Sequence, residues 1–397
     1  MAYAWTLLNL GLELKREILE ETGPDINGVI FRLHYKVTSS LLLLCGTIIT
    51  MVSWFGSKPV SCTTNSQITG VDFDSYCWIH PSKISTQTTK WTDEIIQKNL
   101  QGIGGSSSSE EHLFHCQNVN QDPDYDCLSR SVDYYQLVML QWSAVFLMFQ
   151  ALCFYASRFV WSKWENGTME YILKTTERHE SIERKAEITA QLILYRSQRG
   201  KNKLYALGYM LAECSLGLNL AIQWAFTCAF LGVARYGNHV FNFYNLGWYS
   251  IFYDRRRLPS MLLFPTLSGC TYMRYGEGGG TTQTDLLCLL PLNIIHDKIF
   301  LFQWFWFALL SFLTCSKLLY RICVFLSAGA RERVLRYEMS KTSLFSTAEY
   351  NCILRTFSKS HSDFVFLEIL NKNAEVELVQ NTMRKFKELK EKSELSL

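Results

Sequence analysis

Four long runs of apolar residues, separated by polar segments, dominate the pattern of the chain. The clearest run, 134–157, has no charged residue, and it is followed by Arg158, Trp161, Lys163 and Trp164. About 20 apolar residues, each rising roughly 1.5 Å, cross the hydrocarbon core of a bilayer, and Trp and cationic side chains prefer its interface. The pattern predicts a membrane-spanning helix rather than a buried helix of a large soluble protein.

Three further runs have the same character. Residues 37–55 carry no charge, and 299–326 include Lys317, whose long stem can reach the interface. The run 204–233 contains one charged residue, Glu213, near one end. Four spans place both termini on the same side of the membrane. The first span is expected to act as an uncleaved targeting signal, since no signal-peptide pattern precedes it.

The distribution of charge predicts the orientation. Residues 56–133 hold 5 Lys/Arg and 10 Asp/Glu, whereas the shorter segment 158–203 holds 10 Lys/Arg and the tail 327–397 holds 12. Positive residues favour the cytoplasmic side. The predicted organisation is a cytoplasmic segment 1–36, spans 37–55, 134–157, 204–233 and 299–326, extracellular loops 56–133 and 234–298, a cytoplasmic loop 158–203 and a helical cytoplasmic tail 327–397.

Composition and motifs exclude several other function classes. A net charge of +3 over 397 residues is too small to indicate nucleic-acid binding. No catalytic signature occurs, so we expect neither an enzyme nor a cofactor. The glycine-rich run at 276–280 lacks the strand and helix of a nucleotide-binding loop and is interpreted as a turn.

The cysteines support the predicted sidedness. Six of 13 lie in the two predicted extracellular loops, and an even number there is typical of a disulfide set. Four of these six, two in each loop, allow three pairings. A metal site is not expected, because the sequence HLFHC at 112–116 has no CxxC partner.

Several short motifs stand out around the spans and in the loops. They are FRLHYKVT before the first span, KPVSC and YCWIH in the first loop, YYQLV and FQALCFYASRFVWSKWENG around the second span, and FPTLSGC with DLLCLLPLNIIHDKIF in the second loop. Together they resemble the innexin family of invertebrate gap-junction proteins. Fourteen residues separate Cys62 from Cys77, and seventeen separate Cys270 from Cys288. The resemblance covers 31 to about 336.

The resemblance implies a fold, partners and site residues. The fold is an all-α membrane protein with four transmembrane helices per subunit, disulfide-linked extracellular loops and a helical cytoplasmic domain, assembled as a ring-shaped large-pore channel. An octamer is implied, homomeric or mixed with other innexins, docked to the hemichannel of an adjacent cell and surrounded by lipid. The implied disulfides are Cys62–Cys288 and Cys77–Cys270, and the implied pore constriction is Tyr3, Ala4 and Trp5. Cys116 and Cys127 are an addition to the family's four-cysteine pattern, and we predict a separate local bridge between them.

The chain also departs from the family pattern. Leu137 stands where the family has the Trp of YYQWV, and Ser157 stands where it usually has proline. Proline would kink the second span, whereas serine bends a helix only mildly. His296–Asp297 replaces a usual Asn-Glu pair. We therefore interpret the chain as a divergent member in which gating that depends on the proline kink is altered.

Three features leave alternatives open. Glu213, Asn219 and Gln223 share one face of the third span, where they predict either pore-lining groups or interhelical hydrogen bonding, of which we favour the second. The N-terminal 30 residues could instead form a helix on the inner membrane face. In the tail, a stripe of Val376, Val379, Met383 and Phe386 predicts an amphipathic helix that packs on the 158–203 region or on a neighbouring subunit.

A channel subunit is thus the predicted function, forming hemichannels and gap junctions that pass ions and small solutes. Two alternatives remain: an unpaired hemichannel of the pannexin kind, and a four-span adhesion or scaffold protein without a pore.

Overall fold

A computed structural model describes residues 24, 26–56, 58–63, 71–79, 141–179, 181–232, 234–236, 239–252, 263–264, 266–275, 278–339 and 347–395. Within these ranges the chain is mostly helical, and four helices are long and apolar enough to cross a membrane. We label them α1 (Val29–Phe55), α3 (Ser143–Glu165), α6 (Lys201–Leu231) and α8 (Pro291–Leu326). The prediction of a mostly helical chain with four candidate membrane-spanning helices is confirmed.

The helices do not end where the apolar runs end. α1 begins at Val29, ahead of the predicted 37, and α8 begins at Pro291, ahead of the predicted 299. α3 continues past 157 to Glu165, while part of its predicted start lies outside the described residues. An apolar run marks only the portion that matches the hydrocarbon core. The 36 residues of α8 are about 54 Å long, well beyond a core of roughly 30 Å.

The chain divides into two compact units, and each of the four long helices contributes one segment to each unit. The first comprises Met1–Leu42, Phe149–Gln223 and Phe307–Leu397, and the second comprises Leu43–Met148 and Trp224–Trp306.

Shorter helices build much of the first unit. They are α4 (Thr168–Glu177), α5 (Ile182–Gln198), α9 (Ala328–Met339), α10 (Thr347–Lys359), α11 (His361–Asn373) and α12 (Val376–Leu395). The predicted tail helix is α12, and it packs against α5. Its residues Val379, Met383 and Phe386 are buried in the apolar core of the first unit. The amphipathic stripe therefore faces a helix of the 158–203 region, one of the two predicted partners.

A tight turn carries the chain from α3 into α4. Asn166 and Gly167 adopt positive φ angles of 51° and 68°, a conformation that glycine adopts without a steric penalty. The buried carboxylate of Glu165 accepts hydrogen bonds from the backbone N–H groups of Gly167 and Met169, at 2.8 and 2.6 Å. Glu165 therefore satisfies N–H groups at the start of α4 that would otherwise lack partners inside the helix.

The second unit adds a small sheet that the sequence did not predict. Strands β1 (Ser61–Thr63), β4 (Leu267–Tyr275) and β5 (Thr281–Leu289) form an antiparallel sheet in the order β1-β5-β4. Tyr275 pairs with Thr281, so β4 and β5 reverse direction around the glycine-rich run that was predicted to be a turn. The unit also contains helix α2 (Phe73–Ile79), strands β2 (Ala234–Tyr236) and β3 (His239–Phe241), and helix α7 (Phe243–Phe252).

Candidate functional site: the disulfide-linked loops and a buried charge cluster

Two disulfides join the loop that follows α1 to the loop that precedes α8. The first connects Cys62 on β1 with Cys288 on β5, and these residues lie directly opposite each other in the strand register. The second connects Cys77 on α2 with Cys270 on β4, with Cα atoms 6.0 Å apart. This is the pairing that the family resemblance implies, and each bond closes a long stretch of chain.

A compact apolar core surrounds the two bonds. Cys77, Cys270 and Cys288 are buried, together with Val60, Leu286 and Leu290. Tyr272 makes edge-on contacts with the rings of Phe73 and Tyr76, at centroid distances of 5.4 and 4.8 Å. Aromatic pairs of this geometry stabilise a core beyond the area they bury. We call β1, β4, β5 and α2 with these side chains the loop module.

Asp74 holds β1 against α2 within the loop module. Its Oδ1 accepts a hydrogen bond from the backbone N–H of Cys62 at 2.8 Å, and its Oδ2 contacts Lys58 Nζ at 2.7 Å. The hydrogen bond that Lys58 Nζ donates to Asp74, together with the negative charge of Asp74, raises the pKa of Lys58. At the start of α2, the hydroxyl and backbone N–H of Ser75 donate to Asp72 and lower the pKa of this carboxyl. Asp72 therefore remains ionised at neutral pH.

A second polar feature lies in the first unit, where Arg321 on α8 sits between two carboxylates. Its Nε donates to Glu213 on α6 at 2.6 Å, and its Nη1 donates to Glu368 on α11 at 2.5 Å. Its Nη2 donates to Glu368 at 3.1 Å and to the Tyr209 hydroxyl at 3.2 Å. All three charged side chains are almost fully buried. We call these four residues the charge cluster.

Two lysines lie at the edge of the charge cluster. Lys372 Nζ lies 3.5 Å from Glu368, and Lys317 Nζ lies 4.0 Å from Glu213. Burial by itself would raise the pKa of Glu368, but the charge and hydrogen bonds of Arg321 outweigh it and lower the pKa. Buried carboxylates persist as ions when they are paired and hydrogen-bonded in this way. The cluster joins two spanning helices to the tail.

Comparison with known proteins relates the chain to one family. A family model described as Innexin matches residues 27–388 of the chain. The chain belongs to the innexin family. It is 28% identical over 323 residues to Innexin inx2 of Drosophila melanogaster, covering 78% of each chain. It is 27% identical over 329 residues to Innexin shaking-B of the same organism, covering 81% of this chain and 80% of that protein.

A third relative, Innexin inx2 of Schistocerca americana, is 28% identical over 325 residues, with 80% of this chain and 82% of the relative covered. Innexins are gap-junction channel subunits, so the chain is a multi-pass membrane protein of a channel family that works as an oligomer. Identities of 26–28% are consistent with a divergent innexin.

The three polar residues predicted to share one face of the third span have different partners in the structure of this innexin. Glu213 forms the ion pair with Arg321, whereas Gln223 Nε2 donates to Asn219 Oδ1 at 3.3 Å, one turn away on the same helix. Ser157 lies inside the continuous helix α3. Tyr3, Ala4, Trp5, Leu137, Cys116 and Cys127 lie outside the described residues.

Sequence reasoning missed Arg321 and Glu368. A usable signal was present, because a cation in the fourth apolar run and a carboxylate in the third are opposite charges at membrane depth. Glu368 carried no such signal, since a single carboxylate in an amphipathic tail normally faces water.

A buried histidine was also missed. His34 lies in a π-helical turn of α1, Leu33–Thr38, and its Nε2 is 2.8 Å from Thr314 Oγ1 on α8. The Thr314 hydroxyl donates to the Leu310 carbonyl at 2.7 Å, so its oxygen accepts the proton of His34 Nε2. This bond joins the first and fourth spanning helices of the innexin inside the first unit.

Proposed function

We propose that this innexin forms a closed ring of subunits around an aqueous pore, and that two rings in apposed membranes dock through their loop modules. The observation that carries the proposal is the pair of disulfides joining the two loops on one small sheet. Crosslinked loops lose little conformational freedom when they bind, which favours a reproducible docking surface.

A ring follows from the size of one subunit. Four helices pack around their own side chains and leave no wide channel between them, so several subunits must enclose the pore. Identical subunits joined by heterologous contacts close into a cyclic ring when the rotation between them allows it. The family resemblance supports eight subunits, either identical or mixed with other innexins.

The proposed orientation places both termini and the loop 158–203 in the cytoplasm. Support comes from the charge asymmetry, with 10 Lys/Arg in 158–203 against 5 in the longer segment 56–133. The disulfides give independent support, because they persist in the oxidising environment outside the cell. In this orientation the loop module is extracellular and the charge cluster lies toward the cytoplasm.

The pore constriction is proposed at the N-terminal segment, with Tyr3, Ala4 and Trp5 as its lining residues. The support is the family resemblance alone. Cysteine substitution at position 4 followed by a charged thiol reagent tests this assignment: a lining residue should lose current on modification, whereas a residue away from the pore should not respond.

Docking between cells is permitted by the absence of a glycosylation sequence from both loops. The only N-x-S/T sequence in the chain is Asn166–Gly167–Thr168, which lies outside both 56–133 and 234–298. A glycan on either loop would be bulky and would obstruct contact between rings. The loop surfaces of this innexin are therefore compatible with end-to-end docking.

Conductance between paired cells tests the proposal. Oocytes expressing the chain should show junctional current and dye transfer, and purified particles should be rings when imaged. A Cys62→Ala/Cys288→Ala variant should lose junctional current, whereas Cys323→Ala, which removes an exposed free thiol, should retain it. Current in single cells but never between pairs would support the unpaired hemichannel. Surface protein without any current would support the adhesion function.

A further inference from the structure

The two disulfides of the loop module are close enough to react with each other. The Sγ atoms of Cys62, Cys77 and Cys288 all lie within 4.8 Å of one another, although Cys77 belongs to a different disulfide from the other two. A sulfur of one bond therefore lies next to both sulfurs of the other. Exchange between a thiolate and a disulfide requires such proximity, because the attacking sulfur must reach a sulfur of the bond.

Strand register explains the proximity. Cys288 pairs with Cys62 of β1, and Leu286, two residues earlier on β5, pairs with Cys270 of β4. Residues two apart in a strand share a face. Leu286 and Cys288 are buried, while Leu287 and Leu289 are 43% and 44% exposed, so both disulfides lie on the buried face of the sheet.

The four sulfurs differ in their access to solvent. Cys77, Cys270 and Cys288 are buried to 4%, 2% and 0% exposure, whereas Cys62 is partly exposed on the short edge strand β1. A thiol dissolved in water therefore reaches the Cys62 sulfur more readily than the other three. Accessibility is one of the factors that decide which sulfur of a disulfide is attacked.

We propose that Cys62 is a modification site for small thiols, and that reaction there is passed to the second disulfide through Cys288. In the first step, the thiolate of the small thiol attacks Cys62 Sγ. A mixed disulfide forms on Cys62, the Cys62–Cys288 bond breaks, and its electron pair leaves on Cys288 as a thiolate.

In the second step, the Cys288 thiolate attacks the neighbouring Cys77 Sγ. A Cys77–Cys288 bond forms, the Cys77–Cys270 bond breaks, and the electron pair leaves on Cys270, which takes a proton from water. A second small thiol then releases Cys62 as a thiol and becomes the oxidised small-molecule disulfide. Two thiols are oxidised and one protein disulfide is reduced, so electrons balance.

The product differs from simple reduction of one bond. Simple reduction leaves Cys77–Cys270 in place, with Cys62 and Cys288 as thiols. The exchange instead leaves Cys77–Cys288 bonded, with Cys62 and Cys270 as thiols. β4 is then no longer tied to α2, while the two loops remain joined through β5. The exchange concerns only the loop sulfurs, so its failure would leave the channel proposal untouched.

Peptide mapping of the purified full-length protein in detergent tests the exchange. The protein is treated with reduced glutathione for increasing times, acid-quenched, alkylated with N-ethylmaleimide and digested without reduction. We expect glutathione on Cys62 first, then a Cys77–Cys288 crosslinked peptide with alkylated Cys62 and Cys270. Alkylation of Cys62 and Cys288 with Cys77–Cys270 intact throughout would overturn the proposal, as would first modification at Cys270 or Cys77.

Variants separate exchange from direct attack. The Cys62→Ala/Cys288→Ala variant lacks the Cys288 thiolate that attacks Cys77. Its buried Cys77–Cys270 bond should therefore resist glutathione at concentrations that rearrange the disulfides of the wild-type protein. Cys323→Ala removes an exposed free thiol outside the loop module and should leave the order of products unchanged. If glutathione cleaves the Cys77–Cys270 bond equally well with and without Cys288, the proposed exchange through Cys288 is contradicted. The mapping of the unmodified chain decides the question even where the double variant does not fold.

Discussion

The guanidinium of Arg321 donates two parallel hydrogen bonds to the carboxylate of Glu368, from Nη1 to Oε2 at 2.5 Å and from Nη2 to Oε1 at 3.1 Å. Forked pairs of this kind combine charge with fixed geometry. Nε of the same group donates to Glu213 on α6. The Arg321 side chain therefore connects helix α11 of the tail to two spanning helices.

Removing Arg321 should destabilise the protein strongly. Arg321→Ala leaves Glu213 and Glu368 buried without their main cation, and the loss of one partner from a buried pair costs about 3–5 kcal/mol. Arg184→Ala is the matched control, because it removes an exposed Arg184–Glu187 pair on α5, worth roughly 0.3–0.5 kcal/mol. Thermal unfolding of the purified variants should show a large loss for the first and almost none for the second. Equal melting temperatures would contradict the role given to Arg321.

The attachment of helix α11 to the spanning helices should depend on pH through Glu368. Its pKa is lowered in the folded protein, so its contribution to stability is complete above its ordinary pKa of about 4.3 and is lost as pH falls through the lower folded value. The protection factors of the backbone amides in 361–373, which correct for the pH dependence of intrinsic exchange, should therefore be constant near neutral pH and fall in strong acid. Glu368→Gln should weaken protection at neutral pH and remove this part of the acid dependence. An unchanged acid profile in the variant would contradict the assignment.

Gly247 should not tolerate a side chain. A Cβ atom at this position would overlap the ring of Trp304, which is buried and donates from Nε1 to the Tyr244 carbonyl at 2.9 Å. Gly247→Ala should cost about 1–3 kcal/mol, the usual range for overpacking a core. Gly280→Ala is the control, since an added Cβ there meets nothing within 4 Å, and it should change stability by less than about 0.5 kcal/mol. Comparable thermal shifts for both would refute the packing argument.

Ser157→Pro should change gating more than surface expression. Ser157 lies inside α3, and proline there would remove a backbone hydrogen bond and kink the helix where the family usually carries proline. The measurement is the voltage and time dependence of current in oocytes, together with surface labelling. Ser157→Ala serves as control, because it keeps the helix unkinked. Unaltered gating at normal surface levels would show that position 157 does not bias the open and closed states.

The sequence by itself determined the four spans and the amphipathic tail helix, and it placed cysteines in both loops while leaving three pairings of the four open. These features follow from local rules, since hydrocarbon thickness selects long apolar runs and one helical face selects the spacing of Val379, Met383 and Phe386. The ends of the helices were not determined in this way, because a helix can continue into water without changing its backbone hydrogen bonds.

Only the tertiary structure decided which distant residues meet. Glu368 is separated from Arg321 by 47 positions and from Glu213 by more than a hundred, and nothing in a tail carboxylate reveals that it will be buried beside a spanning helix. The sheet that places Cys77 next to Cys62 and Cys288 likewise depends on register between strands from two loops. Such contacts arise from packing over long chain separations, where periodicity and propensity act only locally.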